Sequence, residues 1–296
     1  MNTTSGTGLG CLLDTQQRDG SWAHRANSSW TEPTCYSIMA LRTANGPEIA
    51  ILRAVGWLMR QQRPDGGWSP GPEVEKSTHV TSLAVLALAG MPGYEDIADR
   101  GVSWLLAQFG AESSVLSRLA RFAMGIRSGE ADRNGWPWYP GAAAWVIPTS
   151  LAICALSRHK SEKYKSEKYA GQVTARVAGA RRFLLSRRCP DHGWNHGGLF
   201  GTDEAPPSYP ETTGLALLAL SGTSLDLQRS LTRAEQHARG PQSSEGASWL
   251  RLGLLAHGRS PVPAPVRYRE WTTTQVALRI IAQSGEAGRN PFIGHG

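Results

Sequence analysis

The sequence predicts an all-α fold in which about six helical hairpins close into an α/α toroid with inner and outer helix layers. Three observations predict it. Apolar residues recur at helical spacing between clusters of Gly and Pro, whereas the alternating pattern of β-strands is missing. A turn rich in Gly and Trp recurs along the chain, and an apolar helix start of small residues follows it. The helices also fall into two kinds that differ in how much of their surface is apolar.

The recurring pair of turn and helix start indicates one copied helical hairpin. The turns read QQRDGSW ending at Trp22, QQRPDGGW ending at Trp68, DRNGWPW ending at Trp138 and RRCPDHGW ending at Trp194. The helix starts read WTEPTCYSIMAL from Trp30, STHVTSLAVLAL from Ser77, WVIPTSLAICAL from Trp145 and YPETTGLALLAL from Tyr209, with a fifth, poorer copy, WTTTQVALRII, from Trp271. Such self-similarity predicts hairpins that stack on their neighbours or close into a ring.

The same periodicity predicts about twelve helices. We expect them near residues 5–16, 33–44, 47–62, 78–90, 94–109, 112–128, 145–158, 170–188, 210–221, 225–239, 243–257 and 271–284. Segments such as ILRAVGWLMRQQR carry Arg, Gln and Trp and have one face to bury, so they belong to an outer layer. Segments such as TGLALLALSG are small and apolar nearly all round, so they belong to an inner layer around a central cavity.

Length, composition and net charge indicate the number of domains and the kind of binding partner. The chain has 296 residues without a break in composition, which predicts one domain over 1–296, with SEKYKSEKY at 161–169 as a solvated linker. A net charge of +7 and an isoelectric point near 9.5 favour anionic partners, such as a diphosphate or an acidic membrane surface. The chain contains no nucleic-acid motif, so we expect no nucleic-acid partner. The oligomeric state stays open.

Location is inferred from the apolar runs, the start of the chain and the cysteines. The longest apolar runs fall short of the ~18 residues of a membrane span, and the start lacks the pattern of a signal or transit peptide. The four cysteines are scattered, which favours reduced thiols and a cytoplasmic protein. Residues 112–128 carry an apolar stripe with arginines beside it. Such a helix either lies on an anionic membrane or simply covers a core.

The turns themselves are interpreted as structural. Their Gly adopts backbone conformations that other residues avoid, and a buried Trp needs a partner for its N–H. We expect the amides of Gln16, Gln61 and Gln62 to bond helix-end carbonyls or the next turn. One turn differs, because it places Cys189, His192 and His196 close together. These three are either zinc ligands or solvated turn residues.

The inner-helix starts are where the copies differ in polar chemistry. Aligned on their apolar tails, they place Trp30, Ser77, Trp145, Tyr209 and Trp271 in one position. Two residues later they place Glu32, His79, Ile147, Glu211 and Thr273. Variation in one layer of a repeat is typical of a site. The polar residues Thr34, Thr81, Thr149 and Thr213 are interpreted as helix caps.

The Gln-Gln and Asp-Gly-Gly/Ser-Trp turns resemble the repeats of the squalene-hopene cyclase and protein prenyltransferase superfamily, whose members fold as α/α toroids. The resemblance covers most of residues 10–220. In class II terpenoid cyclases an inner helix begins with Asp-x-Asp-Asp-Thr-Ala, and the middle Asp is the general acid. Here Trp30, Glu32 and Pro33 match the three Asp positions and Thr34 matches the Thr, and Glu211 repeats the central carboxylate.

The resemblance implies a terpenoid-cyclase-like enzyme without a cofactor, which binds an isoprenoid in a central apolar cavity and starts cyclisation by protonation. Glu32 or Glu211 would be the proton donor. Substrate would lie against rim side chains, which we expect to be Trp30, His79, Trp145, Tyr209 and Trp271. A lone buried Glu holds its proton but is a weaker acid than the Asp motif provides, so an epoxide or an allylic substrate suits it better than a plain alkene.

Two alternatives remain. Protein prenyltransferases bind zinc at inner-helix starts through an Asp, a Cys and a His, and here Glu32, Cys35 and His79 would be the corresponding ligands. Glu32 and Cys35 share a helix face, although their spacing differs from that of the family. The second alternative is a non-catalytic binder of an isoprenoid, another lipid or a peptide on the same toroid.

Overall fold

The computed structural model describes residues 8–24, 28–113, 134–163, 167–197, 206–240, 243–260 and 272–294. Within these ranges the chain forms eleven α-helices and one pair of short strands. The helices are α1 (Gly8–Asp14), α2 (Thr31–Thr43), α3 (Glu48–Arg60), α4 (Val80–Leu88), α5 (Glu95–Ala107), α6 (Val146–Lys163), α7 (Glu167–Ser186), α8 (Pro210–Ala219), α9 (Gln228–Arg239), α10 (Ser244–Leu255) and α11 (Thr273–Gly285). Strands β1 (Trp136–Pro137) and β2 (Ala144–Trp145) pair antiparallel just before α6.

Six helices form a closed inner ring. In order around the ring they are α2, α4, α6, α8, α10 and α11; each contacts the next, and α11 returns to α2. The outer helices pack on this ring: α3 on α2, α5 on α4, α7 on α6, α9 on α8 and α10, and α1 on α11. The described helices therefore confirm the all-α, α/α-toroid fold.

Burial separates the two layers as the sequence predicts. Every residue of α4 is buried, and so are all but two residues of α2. In α3, by contrast, burial is confined to a stripe formed by Ala50, Ala54, Val55, Trp57 and Leu58. An apolar surface on all sides thus marks the helices that lie between the outer layer and the interior of the ring.

Each turn tryptophan ties three pieces of chain together. Its indole N–H donates to a carbonyl of the preceding outer-layer helix, at 2.6–2.8 Å, and its ring is fully buried. Its backbone N–H donates to the side-chain oxygen of a threonine on the following inner helix. The four clamps pair Trp22 with Thr34, Trp68 with Thr81, Trp136 with Thr149 and Trp194 with Thr213.

Two expectations about these residues were wrong. Thr34, Thr81, Thr149 and Thr213 do not cap their helices; their hydroxyls accept from the turn tryptophan, because they lie inside the first turn and face the preceding loop. In the third repeat the clamp residue is Trp136, whereas the sequence alignment ended that turn at Trp138. Trp138 instead packs against His79 at the rim.

Glutamines at the ends of outer helices join neighbouring hairpins. The amide of Gln16 donates to Gly20 O and to Ala50 O on α3, both at 2.9 Å. Gln62 repeats this arrangement with Gly66 O at 2.8 Å and Ile97 O on α5 at 2.9 Å. The predicted role of Gln16 and Gln62 is confirmed. For Gln61, the C-cap residue of α3, the role of the amide stays a prediction.

Among the inner helices, α8 and α10 approach each other most closely, and no repeat motif predicts this contact. A Cβ atom at Gly214 would overlap the backbone of Trp249 and Leu250, and one at Gly253 would overlap the backbone of Gly214. The absence of side chains at these two positions lets the helix backbones touch. Helix α10 is therefore an inner helix, although it lacks the Trp turn that marks the other copies.

Two expected segments differ from the structure or fall outside it. The linker expected at 161–169 is largely helical, since α6 reaches Lys163 and α7 begins at Glu167, while 164–166 lie outside the described residues. Of the expected helix 112–128, residues from 114 onward are likewise outside them. In the described part of the chain, none of the helices has the length and apolar character needed to cross a bilayer. That all residues form one domain stays a prediction.

Candidate functional site

The candidate site lies where the inner helices begin. Three of these helices carry a glutamate in the first turn: Glu32 on α2, Glu211 on α8 and Glu245 on α10. Carboxylates are favourable there because backbone N–H groups and the helix dipole present positive charge. Glu32 and Glu211 are predicted site residues. Glu245 was missed, since no Trp turn precedes its helix.

Glu32 is the most perturbed of the three carboxyl groups. Many protein atoms surround it, yet 35% of its side chain remains accessible to solvent. Burial raises the pKa of Glu32 to about 7, and the negative charge of Glu245 adds to the shift. Burial likewise raises the pKa of Glu245, with a further contribution from Glu211. At the rim, Glu245 therefore disfavours ionisation of Glu32, and Glu211 disfavours ionisation of Glu245.

Glu211 is held by the neighbouring helix start. Its Oε1 accepts a hydrogen bond of 2.7 Å from Ser243 Oγ, and the same hydroxyl accepts from Gly246 N at 2.9 Å as the N-cap of α10. Glu211 thus helps to position the first turn of α10 and, with it, Glu245.

His24 lies beside Glu32 and was also missed from the sequence. Its Nε2 is 3.9 Å from Glu32 Oε2, and its ring centroid lies 5.5 Å from that of Trp30. Burial lowers the pKa of His24, so the imidazole is neutral at neutral pH and carries both a proton donor and an acceptor. The side chain is 36% exposed, which leaves it in contact with solvent at the edge of the site.

The other predicted rim residues form a series of aromatic and histidine pairs. His79 meets Trp138 edge to face at 4.4 Å, and its Nδ1 lies 3.3 Å from Trp138 O. Burial lowers the pKa of His79 to about 4, so the ring is neutral. His196 lies between Trp145 at 6.4 Å and Tyr209 at 5.4 Å. Trp30, His79, Trp145 and Tyr209 are thus found at inner-helix starts, whereas Trp271 lies outside the described residues.

Aromatic side chains also line the ring one turn below the glutamates. Tyr36 packs edge to face on Trp249 at 6.2 Å, and Trp249 contacts Phe292 at 5.2 Å. All three are buried. Phe292 comes from the segment after α11, which therefore closes part of the interior from the opposite end.

The zinc alternative is not supported by the geometry. In the described ranges, no three His, Cys, Asp or Glu side chains come together as a group able to hold a metal ion, so Glu32, Cys35 and His79 do not form one. Cys35 is fully buried among apolar neighbours, and burial raises the pKa of its thiol well above the usual value. Cys189, His192 and His196 do not form a metal-binding group either.

A cavity of about 170 Å³ lies at the other end of the ring, near the last turns of α2 and α4 and the segment after α11. It is lined by Met39, Arg42, Thr43, Leu86, Ala89, Arg158, Arg289, Asn290 and Pro291. It does not include any of the predicted site residues.

Comparison with known proteins identifies the repeats. The model of the squalene-hopene cyclase C-terminal domain matches residues 2–117. The resemblance to the squalene-hopene cyclase and protein prenyltransferase superfamily, which the Trp turns predicted, is thereby confirmed for this part of the chain.

Two curated relatives of the chain are diphosphate synthases. A (+)-kolavenyl diphosphate synthase from Herpetosiphon aurantiacus is 39% identical over 108 residues, which cover 33% of this chain and 20% of the relative. A drimenyl diphosphate synthase from Streptomyces showdoensis is 25% identical over 211 residues, which cover 69% of this chain and 33% of the relative. The chain thus spans a third or less of the length of these two proteins.

Solved structures support the toroid fold of the chain. The type II terpene cyclase MstE from Scytonema has a TM-score of 0.59 at 13% identity, covering 96% of this chain and 97% of the other. An alpha-amylase from Clostridium perfringens has a TM-score of 0.63 at 9% identity, covering 95% and 96%. Because proteins of different chemistry share the toroid, likeness of this kind shows the fold alone.

Proposed function

We propose that the toroid is a terpenoid-cyclase-like enzyme that binds an isoprenoid at the inner-helix starts, and that Glu32 donates the proton that begins its cyclisation. The observation that carries the proposal is the position of Glu32 at an inner-helix start, where burial and Glu245 raise its pKa to about 7. At pH 7 a glutamate with the ordinary pKa of 4.5 is almost wholly ionised. Glu32 retains its proton in about half of the molecules.

The proposed step conserves atoms and charge. The Glu32 proton moves to a substrate carbon of a double bond or to an epoxide oxygen, which leaves a carboxylate and a carbocation. Ring closure moves the cation along the chain, and loss of a proton from a neighbouring carbon ends the reaction as an isomerisation. His24, at 3.9 Å from Glu32, is placed to return a proton from solvent to the carboxylate.

The surroundings of Glu32 fit a cationic intermediate. Trp30, Trp145 and Tyr209 offer aromatic faces at the rim, and each face stabilises a desolvated cation by roughly 0.5–2 kcal/mol. His79 is neutral, because burial lowers its pKa to about 4, and so it does not repel positive charge. An acid with a pKa near 7 is weak, which favours a substrate that protonates readily, such as an epoxide. The names of the two diphosphate synthase relatives add isoprenoid diphosphates as candidates.

A non-catalytic isoprenoid binder on the same rim is the second candidate. It is favoured by one sequence feature: Asp-x-Asp-Asp does not occur in the chain, and Glu32 alone keeps the central carboxylate of that motif. This candidate predicts saturable binding without turnover.

The deciding experiment incubates the purified chain with farnesyl diphosphate, geranylgeranyl diphosphate, squalene and oxidosqualene, and analyses the products by mass spectrometry. We expect a cyclised isomer from at least one substrate, its loss in Glu32→Gln, and its persistence in Glu48→Gln. Glu48 is a matched control because it occupies the first turn of an outer helix. Bound substrate recovered unchanged in every case would support the binder and refute the enzyme.

A further inference from the structure

The turn carboxylate is held to the outer helix in the same way in two of the repeats. Trp104 Nε1 on α5 donates to Asp65 Oδ2 at 3.1 Å, and the indole of Trp57 on α3 likewise donates to Asp19. Each tryptophan is the tenth residue of its helix. The tenth residue of α9 is His237. The fourth repeat therefore carries a titratable imidazole at the position where two other repeats carry an indole.

His237 contacts the turn through Ser208. Its Nε2 lies 2.8 Å from Ser208 Oγ, and the same hydroxyl donates to Asp191 Oδ2 at 2.9 Å. Arg233, one turn earlier on α9, donates through Nε to Ser208 Oγ at 3.2 Å, and its Nη2 lies 3.0 Å from Asp191 Oδ2. Ser208 is buried, and a Cβ atom at Gly193 would overlap its hydroxyl group. The turn junction, formed by Asp191, Ser208, Arg233 and His237, thus joins the fourth Trp turn to α9.

The hydrogen bonds of the turn junction are complete with a neutral His237. A serine hydroxyl has one hydrogen to donate and lone pairs that accept, whereas arginine only donates. Partial burial acts to raise the pKa of Asp191, but the hydrogen bonds from Ser208 and the charge of Arg233 outweigh it and lower the pKa. Asp191 is therefore ionised and takes the hydroxyl hydrogen, so Ser208 Oγ accepts from Nε2–H of His237. A neutral imidazole in this tautomer satisfies the hydroxyl group.

The surroundings of His237 disfavour a protonated imidazole. Burial lowers the pKa of His237, and the positive charge of Arg233 lowers it further. The negative charges of Asp191 and Glu211 act in the opposite direction but do not reverse the shift. Cys189, in the same turn, is a neutral thiol at neutral pH, because burial raises its pKa. Mild acid therefore adds a positive charge that the half-buried junction does not accommodate.

The turn junction lies directly before the start of α8. Ser208 precedes Tyr209, the N-cap residue of α8, and Glu211 lies in the first turn of this helix. Ser208 N donates to Asp191 Oδ2 at 3.2 Å, and Tyr209 N donates to Trp194 O at 2.8 Å. The junction therefore fixes the end of the inner helix that carries two of the predicted rim residues.

We propose that His237 is a positioning residue of the rim that acts through Ser208, and that its protonation releases the start of α8. Above the ordinary histidine pKa of 6.5 the imidazole is neutral and keeps the turn junction intact. As the pH falls below that value, this stabilisation is lost, because the unfolded chain binds the proton more readily than the folded one. Tyr209 and Glu211 then lose their fixed places. The switch concerns the positions of these two residues whatever the rim binds, so it does not depend on the proposed function.

The test measures hydrogen–deuterium exchange of the full chain at pH 7.5 and pH 5, with rates corrected for the intrinsic pH dependence of amide exchange. We expect amides at the start of α8 to lose protection roughly two- to tenfold at the lower pH, the equivalent of one hydrogen bond, while amides at the start of α4 do not. His237→Gln keeps a side-chain N–H for Ser208 but cannot be protonated, so α8 should stay protected at both pH values. His257→Gln is the matched control and should behave as the wild type does, because His257 Nε2 lies 2.8 Å from Leu217 O, near the other end of α8.

A second variant tests the connection between His237 and the turn. Ser208→Ala removes the hydroxyl group that joins them, so at pH 7.5 it should show the weak protection of α8 that the wild type shows only at pH 5. The proposal would be overturned by protection in the wild type that does not change with pH, by an equal loss in His237→Gln, or by full protection in Ser208→Ala at pH 7.5. None of these measurements needs turnover, so absence of a cyclised product would refute the proposed enzyme without affecting the switch.

Discussion

Glu245 on α10 contributes to the raised pKa of Glu32 on α2, although the two helices are separated in the ring by α11. Repulsion between two carboxylates is stronger in the interior of a protein than in water. Burial is the larger cause and Glu245 the smaller one. The two causes can be separated by removing the charge of Glu245 alone.

Glu245→Gln should lower the pKa of Glu32 from about 7 while leaving it above the ordinary value of 4.5, because burial of Glu32 is unchanged. NMR titration of the Glu32 side-chain carboxyl carbon measures this directly. Glu48→Gln, far from the rim on α3, is the control and should leave the titration as it is in the wild type. An unchanged midpoint in Glu245→Gln would show that the two carboxyl groups do not interact.

His79 should make the fold sensitive to mild acid. Burial lowers its pKa from 6.5 to about 4, so the unfolded chain binds a proton there between these values and the folded chain does not. The stabilisation from neutral His79 is therefore complete above pH 6.5 and is lost as the pH falls toward 4. We expect a loss of about 3 kcal/mol over this window, because each unit of pKa difference corresponds to about 1.4 kcal/mol.

Urea unfolding of the wild type and of His79→Gln at several pH values between 7 and 4 checks this prediction. The variant loses the packing of His79 against Trp138 at every pH, so its free energy of unfolding at pH 7 measures that loss. The difference between the two proteins in how steeply the free energy of unfolding changes with pH measures the titration of His79 alone. The wild type should lose more stability than the variant as the pH falls. Parallel slopes would show that His79 does not titrate in this window.

The repeats predicted the toroid because each repeat buries the same parts of the chain, namely the Trp turn and the inner helix. The Trp turn and the small apolar helix start are local patterns, and together they indicated five of the six inner helices. A helix was predicted at 243–257, but its place in the inner ring was not, because that place depends on contacts far along the chain: Gly214 and Gly253 let α10 touch α8. Glu245 was missed for the same reason.

The candidate site was only partly predictable for a similar reason. Glu32 was identified from its place in a motif, and in the structure its pKa is raised by burial. His24 lies in the loop before α2, and its proximity to Glu32 depends on how that loop folds back over Trp30. The cavity near the last turns of α2 and α4 is lined by residues that lie more than 200 positions apart in the sequence, such as Met39 and Pro291, and no local pattern connects them.

The threonine clamps should contribute measurably to stability. Thr81→Val keeps the shape of the side chain but leaves the buried N–H of Trp68 without the 2.9 Å acceptor it has in the wild type. An unsatisfied buried donor costs about 1–3 kcal/mol. Thr174→Val is the control, because Thr174 is exposed on α7. Chemical denaturation should show the loss for Thr81→Val and little change for Thr174→Val; equal effects would mean that the clamp adds nothing.

The contact between α8 and α10 predicts opposite effects for two substitutions of the same kind. Gly214→Ala places a Cβ against the backbone of Trp249 and Leu250, so the helices must separate, at a cost of roughly 1–3 kcal/mol. Gly171→Ala, on α7, meets nothing within 4 Å and should stabilise the helix by roughly 0.5–1 kcal/mol. Thermal unfolding of both variants checks the pair.

The same substitution should change the pKa of Glu245. Glu211 on α8 accepts a hydrogen bond from Ser243 at the start of α10, so separation of the helices in Gly214→Ala should admit water and lower the pKa of Glu245. A Gly214→Ala variant as stable as the wild type would show that the two helices are not in backbone contact.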